Sequence, residues 1–258
     1  MVKFFSPLFL ACLLLSFLSA CSTNTLSMPT ITPASTPSEY PILPDGLPPL
    51  ETITVSNAED LRLVKILQIP GFARSRISQC SVAFSPDGKL LSGVCYQNTV
   101  PLWDVQSGEL LYSLQEKPSH EVAVAFSPDG TALAVGGFSG EIRIYDPATG
   151  KLTRTFEAWP TAIWDLDFDP VGNRLASIGL EVGMQFWDFR TGKQLWEYVK
   201  ERGSASFLSV DVDPAGKTIA FGKVPGDVRI VEAETGQVIN TLPIPANVGD
   251  VAFNPDGR

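Results

Sequence analysis

Five times this chain writes the same short turn. The copies are Ser85-Pro86-Asp87-Gly88, Ser127-Pro128-Asp129-Gly130, Asp169-Pro170-Val171-Gly172, Asp213-Pro214-Ala215-Gly216 and Asn254-Pro255-Asp256-Gly257. Their glycines lie 42, 42, 44 and 41 residues apart. A fixed period of this size belongs to chains that stack one supersecondary unit on the next, as propellers and solenoids do. The period restricts the fold far more than the function, because such folds are reused for unrelated purposes.

The second copy shows what one unit is made of. Residues 122–126 are short, apolar and β-prone. Ser127-Pro128-Asp129-Gly130 turns the chain, with Pro pre-setting φ and Gly accepting a positive one. Residues 133–137 make a second strand of small residues, and Ser139-Gly140 turns again. Glu141-Ile142-Arg143-Ile144-Tyr145-Asp146 alternates polar and apolar, as a half-buried strand does. Ala148-Thr149-Gly150 is a third turn, and residues 151–156 form a fourth, more polar strand that belongs outermost. Four antiparallel strands per copy make one blade, so the reading is all-β and a β-propeller.

At this point the chain resembles the WD-repeat family. The resemblance rests on Trp103-Asp104, Tyr145-Asp146, Trp187-Asp188 and the weaker Val231-Glu232, each closing a third strand. Ser107-Gly108, Thr149-Gly150, Thr191-Gly192 and Thr235-Gly236 follow each at one spacing. It covers residues 61–258 and implies that Trp103, Asp104, Tyr145, Asp146, Trp187 and Asp188 are structural repeat positions. In that family a His ahead of the first strand joins a hydrogen-bonded network with an Asp, a Ser and the Trp. Here that position holds Ser75, Lys117 and Trp159, and the one histidine, His120, is out of register. The network is therefore expected to be absent, leaving the blades to apolar packing. Residues 61–68 repeat the pattern of a fourth strand. The resemblance implies that they close a ring, most often of seven blades, to which this chain gives four complete blades and one opening strand. A chain ending at a hairpin tip is expected to be C-terminally truncated.

The first 21 residues stand apart. Lys3 precedes an apolar run over residues 4–17 that is short for a membrane span and ends in small residues, as secretory signals do. Leu18-Ser19-Ala20-Cys21 resembles the lipobox of bacterial lipoproteins, which implies cleavage before Cys21 and lipid attachment to it. Ser22, where Asp would mark inner-membrane retention, implies the outer membrane. Residues 22–50 carry seven prolines among Ser and Thr, a composition that stays an extended, disordered tether. The expected organisation is a signal peptide and lipid-attachment Cys at 1–21, a tether at 22–50 and a partial propeller at 51–258. The expected location is the cell envelope, lipid-anchored on the extracytoplasmic side of a bacterial membrane.

With 28 Asp and Glu against 19 Lys and Arg, the chain is poorly suited to nucleic acid, and it meets a membrane through its lipid anchor only. One histidine gives no metal cluster and no repeated imidazole acid–base pair. No phosphate-cradling glycine loop appears, since Gly136-Gly137 falls in a strand. No catalytic residue, metal or cofactor is expected. Asp165-x-Asp167-x-Asp169 superficially resembles a calcium loop, but Pro170-Val171 stands where such a loop needs Gly. It reads as a solvated acidic edge.

Two features remain as site candidates. Pairing Phe84 with Leu91 about the first turn sets Cys80 opposite Cys95, within range of a disulfide in an oxidising compartment. The other reading is two buried free thiols. Trp159 and Trp164 flank the start of the third blade's first strand and read either as core or as anchors of a partner-binding face. The function these readings favour is a non-catalytic protein-interaction scaffold with protein partners. The alternatives are an exported propeller enzyme or a sensor, whose active or effector part lies beyond residue 258.

Overall fold

The computed structural model describes residues 80–94, 99–114, 120–171, 173–179, 183–199, 206–223 and 226–257. The leader, Cys21, the tether, the closing strand read at 61–68, Ser75, Lys117 and Cys95 lie outside these residues.

Among the described residues, sixteen strands form four antiparallel sheets of four, each a meander with strands in chain order. Blade 1 is β1 (Ser81–Phe84), β2 (Leu90–Val94), β3 (Val100–Asp104) and β4 (Leu110–Leu114). Blade 2 is β5 (Glu121–Phe126), β6 (Leu133–Gly137), β7 (Glu141–Asp146) and β8 (Lys151–Glu157). Blade 3 is β9 (Ile163–Phe168), β10 (Arg174–Gly179), β11 (Gly183–Asp188) and β12 (Lys193–Val199). Blade 4 is β13 (Phe207–Val212), β14 (Thr218–Lys223), β15 (Asp227–Glu232) and β16 (Val238–Pro243). The fold is all-β and of propeller type, and the first strands of successive blades lie against one another.

The turns make this register. In blade 2, Ser127 Oγ donates to Asp129 Oδ1 at 2.6 Å and accepts from Ala132 N at 2.9 Å. Gly130 takes φ +70°, which lets its N–H reach Ser127 O at 2.8 Å. The same hydroxyl cap serves Ser85, whose bond to Asp87 is the main cause holding that carboxyl down at about 2. The third turns are capped by the acid of each Trp-Asp-like pair. Asp104 Oδ1 accepts from Ser107 N at 2.6 Å, and Asp188 Oδ1 from Thr191 N at 2.8 Å.

The core sits between blades rather than within one. Each of three apolar clusters is shared by adjacent sheets: blades 1 and 2, 2 and 3, and 3 and 4. Stacking on both faces explains a departure from expectation. β7 is not half-buried, because Arg143 is covered along with Ile142, Ile144 and Tyr145. The first strands calibrate the effect. Phe126 and Phe168 are 8% and 4% exposed, whereas Phe84, with no preceding blade among the described residues, is 61% exposed.

Aromatic side chains on the outer strands lock each blade to the next. Trp196 on β12 donates its indole N–H to Ala233 O at 2.9 Å and lies flat on Gly236. A Cβ on Gly236 would stand 2.7 Å from that ring, and φ +71° there suits glycine. Tyr112 does the same from β4, its hydroxyl donating to Ala148 O at 2.8 Å. Residues 251–253, expected as an opening strand, form no strand ladder. Their N–H groups bond to blade 4 side chains instead.

Candidate functional site

An inner strand of one blade has no backbone ladder to the inner strand of the next. Its outward N–H groups still need acceptors, since an unpaired buried donor is costly. Two positions in each first strand supply them. The first is occupied by Ser81, Ala123, Asp165, Ser209 and Asp250, the second by Ala83, Ala125, Asp167, Asp211 and Ala252.

Where the residue is polar, it reaches across to the following blade. Ser81 Oγ accepts from Val124 N at 3.3 Å, and Asp165 Oδ2 from Val210 N at 2.8 Å. Asp167 Oδ2 accepts from Val212 N at 2.8 Å, Ser209 Oγ from Val251 N at 3.2 Å, and Asp211 from Phe253 N. Where the residue is Ala123, the facing Leu166 N–H is served by Asp165 Oδ1, at 2.9 Å from its own strand. The Phe168 N–H, facing Ala125, is bonded in the same way by Asp167. The wall is thus apolar between blades 2 and 3 and carboxylate-bridged from blade 3 onward.

Burial dominates the electrostatics. It pushes the Asp165 carboxyl up to about 6 against the opposing pull of the Val210 and Leu166 N–H groups. Asp167 is held well above the ordinary carboxylate range, first by burial, with the Asp211 and Asp165 charges adding to it. Asp211 is raised too, again chiefly by burial, although hydrogen bonds from Phe253 N and the Asp167 carboxyl favour its charge. Each carboxyl of the pair is therefore protonated more readily than an exposed aspartate. The solvated acidic edge read from Asp165-x-Asp167-x-Asp169 is corrected by this geometry. Asp165 and Asp167 point between blades, and Asp169 is fully buried on Arg174, with Nε to Oδ2 at 2.6 Å. Arg174 then continues to Gly216 O at 3.0 Å in the next blade.

The expected loss of the Trp-centred network holds only in part. Trp187 Nε1 still donates to Ser177 Oγ at 2.9 Å in the buried interior. Trp103, Tyr145 and Trp187 are all buried, at 5%, 2% and 4% exposure, while Asp104, Asp146 and Asp188 cap turns. Trp159 lies in the core cluster between blades 2 and 3. Trp164 is half-buried against the next cluster and lines a cavity of about 360 Å³ between the inner strands. Cys80, on the same cavity, is disulfide-bonded. Ser81 pairs with Val94 and Phe84 with Leu91 about the first turn.

Among the described residues, no group of three or more His, Cys, Asp or Glu is disposed to hold a metal ion. The inner-strand acids were hard to single out in the sequence because each is an ordinary Asp in an acidic chain. Their signal is columnar: aligning the repeats on Phe84, Phe126, Phe168, Val212 and Phe253 stacks them at two positions of an otherwise apolar strand.

A family model described as outer membrane protein assembly factor BamB matches residues 82–255. The chain belongs to that family. The match runs from β1 through the fourth blade to Pro255, so the repeat belongs to a propeller family associated with the bacterial cell envelope. No curated protein matches the chain.

Proposed function

We propose that this chain is a lipid-anchored, extracytoplasmic propeller that binds protein partners and carries out no chemistry of its own. Family membership carries the reading, since the family is described as an assembly factor for outer membrane proteins. The use of the inner-strand acids supports it. Asp165, Asp167 and Asp211 are engaged in holding blades together, not converging on a reacting centre. In this reading Cys21 carries the lipid, residues 22–50 hold the propeller off the membrane, and the partners belong to the assembly of outer membrane proteins. The WD-like pairs are structural, closing and capping the third strands. Cys95 is the partner of Cys80, and the bond fixes the first hairpin.

The test is a tagged full-length chain cross-linked in its native membranes and recovered after solubilisation. Recovery of a stoichiometric outer-membrane assembly protein is the expected result. Recovery of the chain with no protein partner would sink the proposal. Labelled fatty acid should enter the native chain and not Cys21→Ser.

A further inference from the structure

We propose that the seam between blades 2 and 3 takes up a glutamate or aspartate side chain from a protein partner. This rests on reading the chain as a protein-binding platform and names the chemistry of what it binds. The seam has a complete four-stranded blade on each side.

Three repeat positions meet at each seam between described blades, and their residues differ. Between blades 1 and 2 they are Leu90, Tyr112 and Ala148. Between blades 2 and 3 they are Ala132, Arg154 and Arg190, and between blades 3 and 4 Arg174, Trp196 and Glu234. Arg154 pairs with Ile144 as Tyr112 pairs with Leu102 and Trp196 with Phe186. It therefore stands where the neighbouring blades carry their aromatic lock. At the third seam Trp196 covers Gly236, and Arg174 lies 5.1 Å over Phe186 and reaches Glu234 Oε2 at 3.3 Å. At the middle seam Phe156 touches Gly192 from two residues further along, and the place of the ring and of the Arg–Glu pair stays open. A cavity of about 260 Å³ lies there, floored by the buried Ala132, Ile144 and Phe189, with Arg154 and Arg190 exposed at its rim. Neither guanidinium makes an ion pair or a hydrogen bond among the described residues. The other polar groups are committed. Thr153 Oγ1 donates to Ile144 O at 2.9 Å, and Asp129 Oδ1 accepts from Ser127 Oγ, Thr131 N and Thr131 Oγ1. Ser127 and then Thr131 hold the Asp129 carboxyl below its ordinary range, and Arg190 adds least to this.

Two guanidiniums over an apolar floor match a carboxylate on a short aliphatic stem. The third seam shows the same fit within the chain, where Glu234 brings its carboxylate to Arg174. Arginine meets a carboxylate through a planar fork of N–H groups, and charge on both sides strengthens the bonds. A polyanion fits less well. Asp129 stands at the same rim and the chain carries a net charge of −9, so an extended acidic surface is repelled where one side chain is not. The seam thus takes an isolated acidic residue of a partner segment.

The probe is the peptide acetyl-Ala-Glu-Ala-amide, with acetyl-Ala-Gln-Ala-amide as the uncharged match. The readout is the Nε–H resonances of Arg154 and Arg190 in the solubilised full chain, assigned through Arg154→Lys and Arg190→Lys. The Glu peptide should shift both saturably and the Gln peptide should not. Arg154→Gln and Arg190→Gln should each weaken Glu binding about fivefold, the loss of one partly exposed charge-assisted contact. Arg154→Trp, which rebuilds the aromatic lock of the adjacent seam, should fill the cavity and abolish binding while the chain stays folded. Equal responses to the two peptides, an unchanged response in Arg190→Gln, or tighter binding of inorganic phosphate than of the Glu peptide would overturn the proposal. Cross-linking in native membranes separates it from the reading beneath it. If the native chain and the Arg154→Gln/Arg190→Gln double variant recover the same partner equally well, the seam is not the docking point and the platform reading stands. If neither recovers any, the platform reading fails and takes the proposal with it.

Discussion

Replacing Asp165 with Asn should remove a pH dependence that runs opposite to ordinary acid unfolding. Burial raises this carboxyl from 3.8 to about 6 in the folded chain. A raised folded value means that the folded state takes up the proton more readily than the unfolded one. The resulting stability is fully present below the unfolded value near 4, and it is lost as pH rises through about 6. The rise from 3.8 to about 6 corresponds to about 3 kcal/mol between pH 4 and pH 8. Asn mimics the neutral acid. It keeps one acceptor for Val210 N or Leu166 N and leaves the other N–H facing a donor, at a cost of about 1–3 kcal/mol that does not vary with pH. The informative quantity is therefore the change in the mutational effect with pH. Urea unfolding of the native chain and of Asp165→Asn at pH 4 and pH 8 measures it. The substitution should be about 2–3 kcal/mol more favourable at pH 8 than at pH 4. If its effect is the same at both, Asp165 is not a desolvated bridge between blades 3 and 4, and the account of the inner wall fails.

Three further outcomes follow from the blade interfaces. Trp196→Ala should cost about 3–5 kcal/mol by thermal or urea unfolding, while Trp196→Phe should recover all but about 1 kcal/mol, the worth of the bond to Ala233 O. Gly136→Ala places a methyl 2.6 Å from Ile163 Cγ2 and 3.2 Å from Leu166 Cδ1, and should destabilise by about 1–3 kcal/mol through overpacking between blades 2 and 3. Arg174→Met strands the fully buried Asp169 carboxylate and should cost about 3–5 kcal/mol. Adding Asp169→Asn to that variant should restore part of the loss, and a double-mutant cycle with no coupling would refute the pairing.

Much of the architecture was legible because it repeats. A turn such as Ser127-Pro128-Asp129-Gly130 acts locally, since Pro, a hydroxyl cap and a left-handed Gly bend the chain whatever surrounds them. The pairing of Phe84 with Leu91 follows from the length of that turn alone. Trp103, Tyr145 and Trp187 were legible for the same reason, each sitting at one spacing from a glycine. Arg143 was not, because alternation along β7 describes one sheet and says nothing of the second blade that covers its other face.

What the sequence determined by itself was the unit: four strands, three turns and the order in which they pair, all set by residues within about forty positions of one another. What only the tertiary structure decided was the fate of the acids. In sequence Asp165, Asp167 and Asp211 are indistinguishable from solvated carboxylates such as Asp87. Their chemistry depends on the backbone N–H groups of Val210, Val212 and Phe253, each more than forty residues away, and on the water that the neighbouring blade removes. A local pattern can specify a blade, whereas desolvation is a property of two blades in contact.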